Sequence, residues 1–179
     1  DSATLMNKVF EVIEAKKIFN IDLKKFKIVI HPNSYVHAVV KFKNGLTKIL
    51  IHDTDMKIPI FNSIYELSQK SLKSKKINFK YLNNLNFIKV DRKKFPSVNF
   101  IKKMPKKNSL YETVLVSAND ELVSMFLENK IKFQDIYKFL NKIINLNKFI
   151  IYKQKSPKNF NQIYKLNKYV RLKTRSLSI

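Results

Sequence analysis

Two short stretches carry the residue types that chemistry needs. In the run from Asn7 to Glu14, Asn7, Glu11 and Glu14 stand four and three residues apart. On a helix that spacing puts them on one face. A carboxylate one turn from an amide, beside the Lys8 ammonium, can ligate a hard cation and touch a phosphate. The same spacing also suits a solvated helix face with i,i+4 partners. The second stretch is His31-Pro32-Asn33-Ser34-Tyr35-Val36-His37. Its two histidines flank a turn between strands, and imidazole both donates and accepts protons near neutral pH. Two ordinary loop histidines are the plain alternative. His52-Asp53-Thr54-Asp55 also has metal-ligand types. Adjacent residues of a strand point to opposite faces, so this run reads as a loop.

The elements that must position these residues follow from hydrophobic periodicity. Leu5, Met6, Val9, Phe10, Ile13 and Ile18 recur at helical spacing and predict a helix over residues 4–19, capped by Ser2 or Thr4. Three β-branched runs follow, over 27–31, 36–43 and 46–52, and predict three strands in one sheet. Asn44-Gly45, with the only glycine of the chain, predicts a type I′ hairpin between the last two. Residues 58–67 suggest a short helix or loop, and the polar, lysine-rich stretch 71–84 reads as a linker. Residues 86–90 suit one more strand or an extended crossing. From Phe95 the pattern turns helical, starting with Val98, Phe100, Ile101 and Met104. Ser109-Leu110-Tyr111-Glu112 is a capping box that opens a helix to about Glu128. A further helix spans 133–146, and Ser156-Pro157 predicts a last one from there to about Val170 with a frayed tail beyond Arg171. The fold class is therefore α+β: a helix, a small and mostly antiparallel sheet, a linker, and a C-terminal helical bundle. The expected division is 1–70, 71–94 and 95–179.

Composition narrows the function. The 179 residues hold 36 Lys and Arg against 13 Asp and Glu, a formal net charge of +23. Such a charge is the usual footprint of a nucleic-acid binder. The basic stretches 138–155 and 158–175, with Tyr and Phe interleaved, could contact phosphates. No helix-turn-helix, RNP, KH or zinc-finger signature accompanies them, and the aromatic positions largely follow core periodicity. The lysines are spread along the whole chain among Asn, Ile, Phe and Tyr, which A/T-rich codons also produce. With no cysteine, a disulfide scaffold, a Cys-ligated zinc and a catalytic cysteine are excluded. With one glycine, glycine-rich phosphate loops are excluded too. No apolar run approaches the roughly 20 residues that span a bilayer. A soluble, cytoplasmic setting without a membrane partner is the expectation, and the start at Asp1 reads as the middle of a longer protein.

Taken together, several stretches resemble one family. Residues 1–15, beginning Asp1-Ser2-Ala3-Thr4-Leu5-Met6-Asn7-Lys8, are similar to the active-site helix of 1-deoxy-D-xylulose 5-phosphate (DXP) reductoisomerases. His31 to His37 resembles the family's His-Pro-Gln-Ser-x-x-His loop, and Asp55-Met56-Lys57-Ile58-Pro59-Ile60 its Asp-Met-Arg-x-Pro-Ile segment. Leu115-Val116-Ser117-Ala118-Asn119-Asp120-Glu121 resembles its Leu-Asn-Ala-Ala-Asn-Glu run, and Phe133-Gln134-Asp135-Ile136 its Phe-x-Asp-Ile. The match covers nearly the whole chain in order.

The resemblance implies an NADPH- and metal-dependent enzyme of isoprenoid synthesis that rearranges and reduces DXP to 2-C-methyl-D-erythritol 4-phosphate. It implies that Ser2, Asn7 and Lys8 hold the substrate phosphate and that Glu11 contacts substrate and ligates Mg²⁺ or Mn²⁺. His37 would line the substrate pocket, and Met56 would pack near substrate and nicotinamide. Glu14 would support that face. NADPH would be bound mainly by an N-terminal domain that this chain lacks, so the fragment alone is expected to be inactive. A homodimer is expected, with its contact in the sheet region. Val9 stands where the family usually has Gly, Lys57 where it has Arg, Val116 where it has Asn and Asp120 where it has Glu. Two rival readings remain at this point: a basic nucleic-acid-binding module, and a degenerate fragment in which Asn7, Lys8 and Glu11 are splayed apart.

Overall fold

The computed structural model describes residues 1–65, 70–76 and 78–178. Leu67, the expected end of the element begun at Ile58, lies outside the described residues, as does Ile77 of the expected linker. The chain forms two compact units, Asp1–Lys27 with Asp91–Ile179, and Ile28–Val90.

The first unit is helical. A 3₁₀ turn, Ser2–Thr4, leads into α1, Met6–Phe19. A long 3₁₀ segment, Pro96–Lys103, is followed by the main helices of the C-terminal part. These are α4 (Tyr111–Leu127), α5 (Phe133–Ile144), the short α6 (Asn147–Ile150) and α7 (Phe160–Leu177). One core joins them: Met6, Val9 and Ile13 of α1 share it with Phe100, Leu115, Leu122, Leu140, Phe149 and Val170. The expected stripe on α4 is buried from Leu110 through Met125, with Phe126 partly buried.

That shared core redraws the expected division. The first helix was grouped with the sheet in 1–70, whereas its contacts join it to the helices beyond Asp91. The reason is physical: Met6, Val9 and Ile13 are fully or almost fully buried, and that apolar stripe must be covered by another element.

Three further expectations change. α7 starts at Phe160, not at Pro157, because Asn159 is its cap and accepts from Gln162 N–H at 2.9 Å. Ser156 instead donates to the Asn108 carbonyl at 3.1 Å. The tail beyond Arg171 is helical to Leu177, because Arg171 and Arg175 reach back to acids of α4. At Ser109 the expected capping box forms only in half: Glu112 Oε2 accepts from Ser109 N–H at 3.5 Å, but Ser109 Oγ accepts from Tyr111 N–H at 3.2 Å instead of from Glu112 N–H.

Among its described residues the second unit has four short strands, β1 (Val29–Ile30), β2 (Val36–Lys41), β3 (Thr47–Ile51) and β4 (Ile88–Lys89), and two helices, α2 (Lys57–Tyr65) and α3 (Phe79–Asn83). The expected single three-stranded sheet is instead two antiparallel pairs, β2 with β3 and β1 with β4. The stretch from 86 to 90 therefore supplies a strand, and the expected linker 71–94 is partly structured. The hairpin turn also differs. Phe42 O accepts from Gly45 N–H and Phe42 N–H donates to Leu46 O at 2.8 Å, around a three-residue loop. Gly45 has φ +89 and Asn44 does not have positive φ. This is a type I turn followed by a left-handed glycine, not a type I′ turn.

Candidate functional site

α1 is entered through tightly bonded backbone. Asp1 O accepts from Met6 N–H at 3.0 Å and from Thr4 Oγ1 at 2.9 Å, and Leu5 N–H donates to Ser2 O at 3.0 Å. Thr4 Oγ1 also lies 3.4 Å from Met6 N–H, but the cap position of α1 is Leu5, so the expected Ser2 or Thr4 cap is not formed. Leu5 sits at φ 57, a left-handed conformation that costs a leucine energy. This turn carries Ser2, which is exposed.

One turn further on, Asn7 and Lys8 are half-buried and Glu11 and Glu14 are exposed. Lys8 Nζ donates to both Glu11 oxygens at 2.8 Å. Lys8 and Glu11 are thus held together instead of splayed apart. Asn7 Oδ1 is buried and has no hydrogen-bond partner. α1 is held against α4 from both ends. Asn119 Nδ2 donates to Asp1 Oδ1 at 2.8 Å. Lys17 lies 2.7 Å and Lys16 3.6 Å from the buried Glu112 carboxylate, and Lys16 Nζ also donates to Pro105 O at 2.8 Å.

The remaining expected site residues belong to the second unit. His31 begins a turn in which Ser34 N–H returns to His31 O at 3.0 Å and Ser34 has φ 50. His31 Nδ1 donates to Asn86 O at 2.9 Å, and its ring lies 5.5 Å from Phe87. His31 is thus engaged within its own unit. His37 sits where the β2–β3 register shifts, between Val36 opposite Ile51 and Ala38 opposite Leu50. That extra residue is a bulge, a device that re-aims a side chain. The exposed His37 ring stacks on His52 at 3.5 Å with 2° between planes, and its Nε2 donates to His52 O at 3.1 Å. Residues 52–55 form a loop, as expected, and Asp55 Oδ1 accepts from Lys57 N–H to open α2. Met56 stands just before α2 and is 62% exposed.

Sequence reasoning missed the two anchors of α1. Glu112 was read only as half of a capping box, and Asn119 only as part of a motif. Both lie on one face of α4, seven residues apart, which is the available signal.

A family model described as the DXP reductoisomerase C-terminal domain matches residues 51–173. The chain belongs to the DXP reductoisomerase family. The reductoisomerase of Pelagibacter ubique (strain HTCC1062) is 56% identical over all 179 residues, which make up 46% of that protein. That of Sulfurihydrogenibium sp. (strain YO3AOP1) is 41% identical over 140 residues, 78% of this chain and 37% of that protein. Among solved structures, the Zymomonas mobilis reductoisomerase in complex with NADPH matches 99% of this chain and 46% of its own, at 28% identity and TM-score 0.83. A DXP reductoisomerase with fosmidomycin and magnesium matches 99% and 45%, at 27% identity and TM-score 0.88. The chain thus spans about half the length of the curated relatives it matches. The α+β class agrees with these structures. The nucleic-acid-binding reading finds no support among them.

Proposed function

We propose that this chain is the half of a cytoplasmic DXP reductoisomerase that holds the substrate phosphate and supplies one metal carboxylate. The whole enzyme converts DXP to 2-C-methyl-D-erythritol 4-phosphate with NADPH. The observation that carries the proposal is the accessible Lys8–Glu11 pair on α1, one turn beyond Asn7 and the Ser2 turn. Ser2 and Asn7 donate neutral hydrogen bonds to phosphate oxygens, and Lys8 adds a point charge. In the ligand-free chain Lys8 and Glu11 neutralise each other. A phosphate and a divalent cation arriving together exchange partners with them, so neither charge is left bare.

Glu11 fits a hard cation: it is an exposed carboxylate, the oxygen donor that Mg²⁺ and Mn²⁺ both accept. Among the described residues no three His, Asp or Glu side chains gather into a metal cage. The other ligands are therefore assigned to the N-terminal half. When bound, the metal polarises substrate carbonyl and hydroxyl oxygens. The chain's one glycine is spent in a hairpin, which leaves no glycine-rich loop for the NADPH phosphates; the cofactor is assigned mainly to the N-terminal half. His37 is proposed to line the substrate pocket, and Met56 to pack near substrate and nicotinamide. Their motifs and their exposure support those roles. The enzyme is proposed to be a homodimer, supported by the exposed Val39, Val40, Ile49 and Leu50 on both faces of the β2–β3 hairpin.

The test is complementation. The chain is mixed with the N-terminal half of a homologue, and NADPH oxidation is followed with DXP and Mg²⁺. The pair turns over, each half alone does not, and Glu11→Gln abolishes turnover while leaving the melting temperature unchanged, because an exposed i,i+3 pair contributes little stability. An associated, folded pair without activity overturns the proposal.

A further inference from the structure

Asn119 has no part in the phosphate-binding reading, yet it is fully buried in the middle of α4. Burying an amide is unfavourable unless its hydrogen bonds are made. Here one is made, to Asp1 at 2.8 Å, and Oδ1 is left without a partner. The fold therefore keeps a polar residue in its core for the sake of one bond, and that bond reaches the turn that carries Ser2.

Asp1 is the hub of that turn. Its carbonyl holds both Met6 N–H and Thr4 Oγ1. The turn closes through Leu5 in a left-handed conformation, which persists only where the surroundings over-determine it. Asn119 is the side chain that grips this hub from another helix. Seven residues earlier on α4, two helical turns away, Glu112 grips the other end of α1 through Lys16 and Lys17. α1 is thus fixed in place at both ends. The Asn119 amide has a second effect. A released Asp1 carboxylate could turn toward the N–H groups that open α1, where it would compete with a phosphate.

We propose that Asn119 is a positioning residue for the substrate phosphate. Through Asp1 it sets the Ser2 turn, and so the geometry in which Ser2, Asn7 and Lys8 meet the phosphate. The inference rests on the phosphate-binding reading of those three residues.

The test uses the full-length enzyme carrying this segment, with KM for DXP, inhibition by inorganic phosphate, kcat and thermal melting as readouts. Asn119→Asp sets two carboxylates against each other. It raises KM and weakens phosphate inhibition about tenfold or more, the size of one lost hydrogen bond to a charged group. Because the lost interaction is uniform binding, kcat stays within about twofold. Asn119→Ala shifts KM in the same direction by a smaller factor. The exchanged pair Asp1→Asn/Asn119→Asp rebuilds the bond with donor and acceptor reversed, and returns KM to within about threefold of the parent. A merely structural role would lower the melting temperature of the folded variants and leave KM and phosphate inhibition unmoved; that result overturns the inference. An exchanged pair that fails to fold or fails to recover KM overturns it as well. Ser2→Ala separates the two levels. If it raises KM while the Asn119 variants do not, only this inference falls. If it too leaves KM unmoved, the phosphate reading falls.

Discussion

Removing the Glu112 carboxylate should be among the costliest single changes at the α1–α4 contact. The Glu112 side chain is 4% exposed and the Lys16 side chain 9%, with Lys16 Nζ 3.6 Å from Oε1. Lys17 lies 2.7 Å from Oε2, but its side chain is 42% exposed and hydrates when released. Glu112→Met therefore leaves the buried Lys16 ammonium with only the Pro105 carbonyl at 2.8 Å. An orphaned buried charge costs about 3–5 kcal/mol. The remaining carbonyl puts the expectation at the low end, about 3 kcal/mol, or roughly 6–12 °C for a chain of this size. Lys16→Met behaves differently, because Glu112 keeps Lys17 and the Ser109 N–H; about 1 kcal/mol is expected. The double change Glu112→Met/Lys16→Met replaces a buried pair with apolar groups and should cost far less than the sum of the singles. Urea denaturation of the chain, followed by helical circular dichroism, measures all three. Equal costs for the two single changes, or a double change that simply adds them, would refute the reasoning.

Two other changes test the helical core and its edge. Tyr111 is fully buried and its hydroxyl donates to Ile144 O at 2.9 Å, while burial pushes its pKa up to about 12. Tyr111→Phe should lose about 1 kcal/mol in urea denaturation at neutral pH. A group with a raised pKa stabilises fully below its unfolded value near 10, and that contribution is lost as pH rises toward 12, so the gap between parent and variant should narrow across that window. Glu128 has the opposite sign: hydrogen bonds from Lys130, Arg175 and Ser124 hold its carboxyl down at about 2. Its contribution is present above the unfolded value near 4.5 and lost as pH falls toward 2. Thermal melts should show the parent losing more stability than Glu128→Gln over that acid range, and parallel curves would count against the pairing.

The helices were legible because their signals are local. Periodic apolar residues and a Ser109–Glu112 box placed α4 within a residue or two of its observed bounds. The hairpin was legible from Asn44-Gly45, but not its turn type. A single extra residue between Phe42 and Leu46 moves the left-handed position onto Gly45 alone, and nothing in the dipeptide reports that residue. The sheet was misjudged because β-propensity says which residues form strands and not which strands pair. Val29 and Ile30 find Lys89 and Ile88, some 60 residues away, rather than the neighbouring hairpin. The end of α7 was misjudged for a related reason. Arg175 looks like part of a basic, fraying tail until Glu121 and Glu128 are seen at 2.6 and 3.1 Å from it.

The candidate site shows the same boundary from the functional side. Asn7, Lys8 and Glu11 could be placed on one face from spacing alone, because a helix of fixed pitch leaves no choice. What spacing could not give is why the Ser2 turn holds still. That depends on Asn119, whose bond to Asp1 joins residues 118 positions apart, and on a buried Glu112 that reaches Lys16 and Lys17. The stripe of α1 that joins this core, Met6, Val9 and Ile13, alternates with the polar residues assigned to phosphate and metal. The same helix is therefore a structural member of the C-terminal body on one face and, on the proposed reading, a ligand platform on the other. Val9 illustrates the constraint: fully buried in the shared core, it lies between Lys8 and Glu11. A substitution there is expected to act on the platform through packing, whereas one at Glu11 acts on the ligand and leaves packing alone.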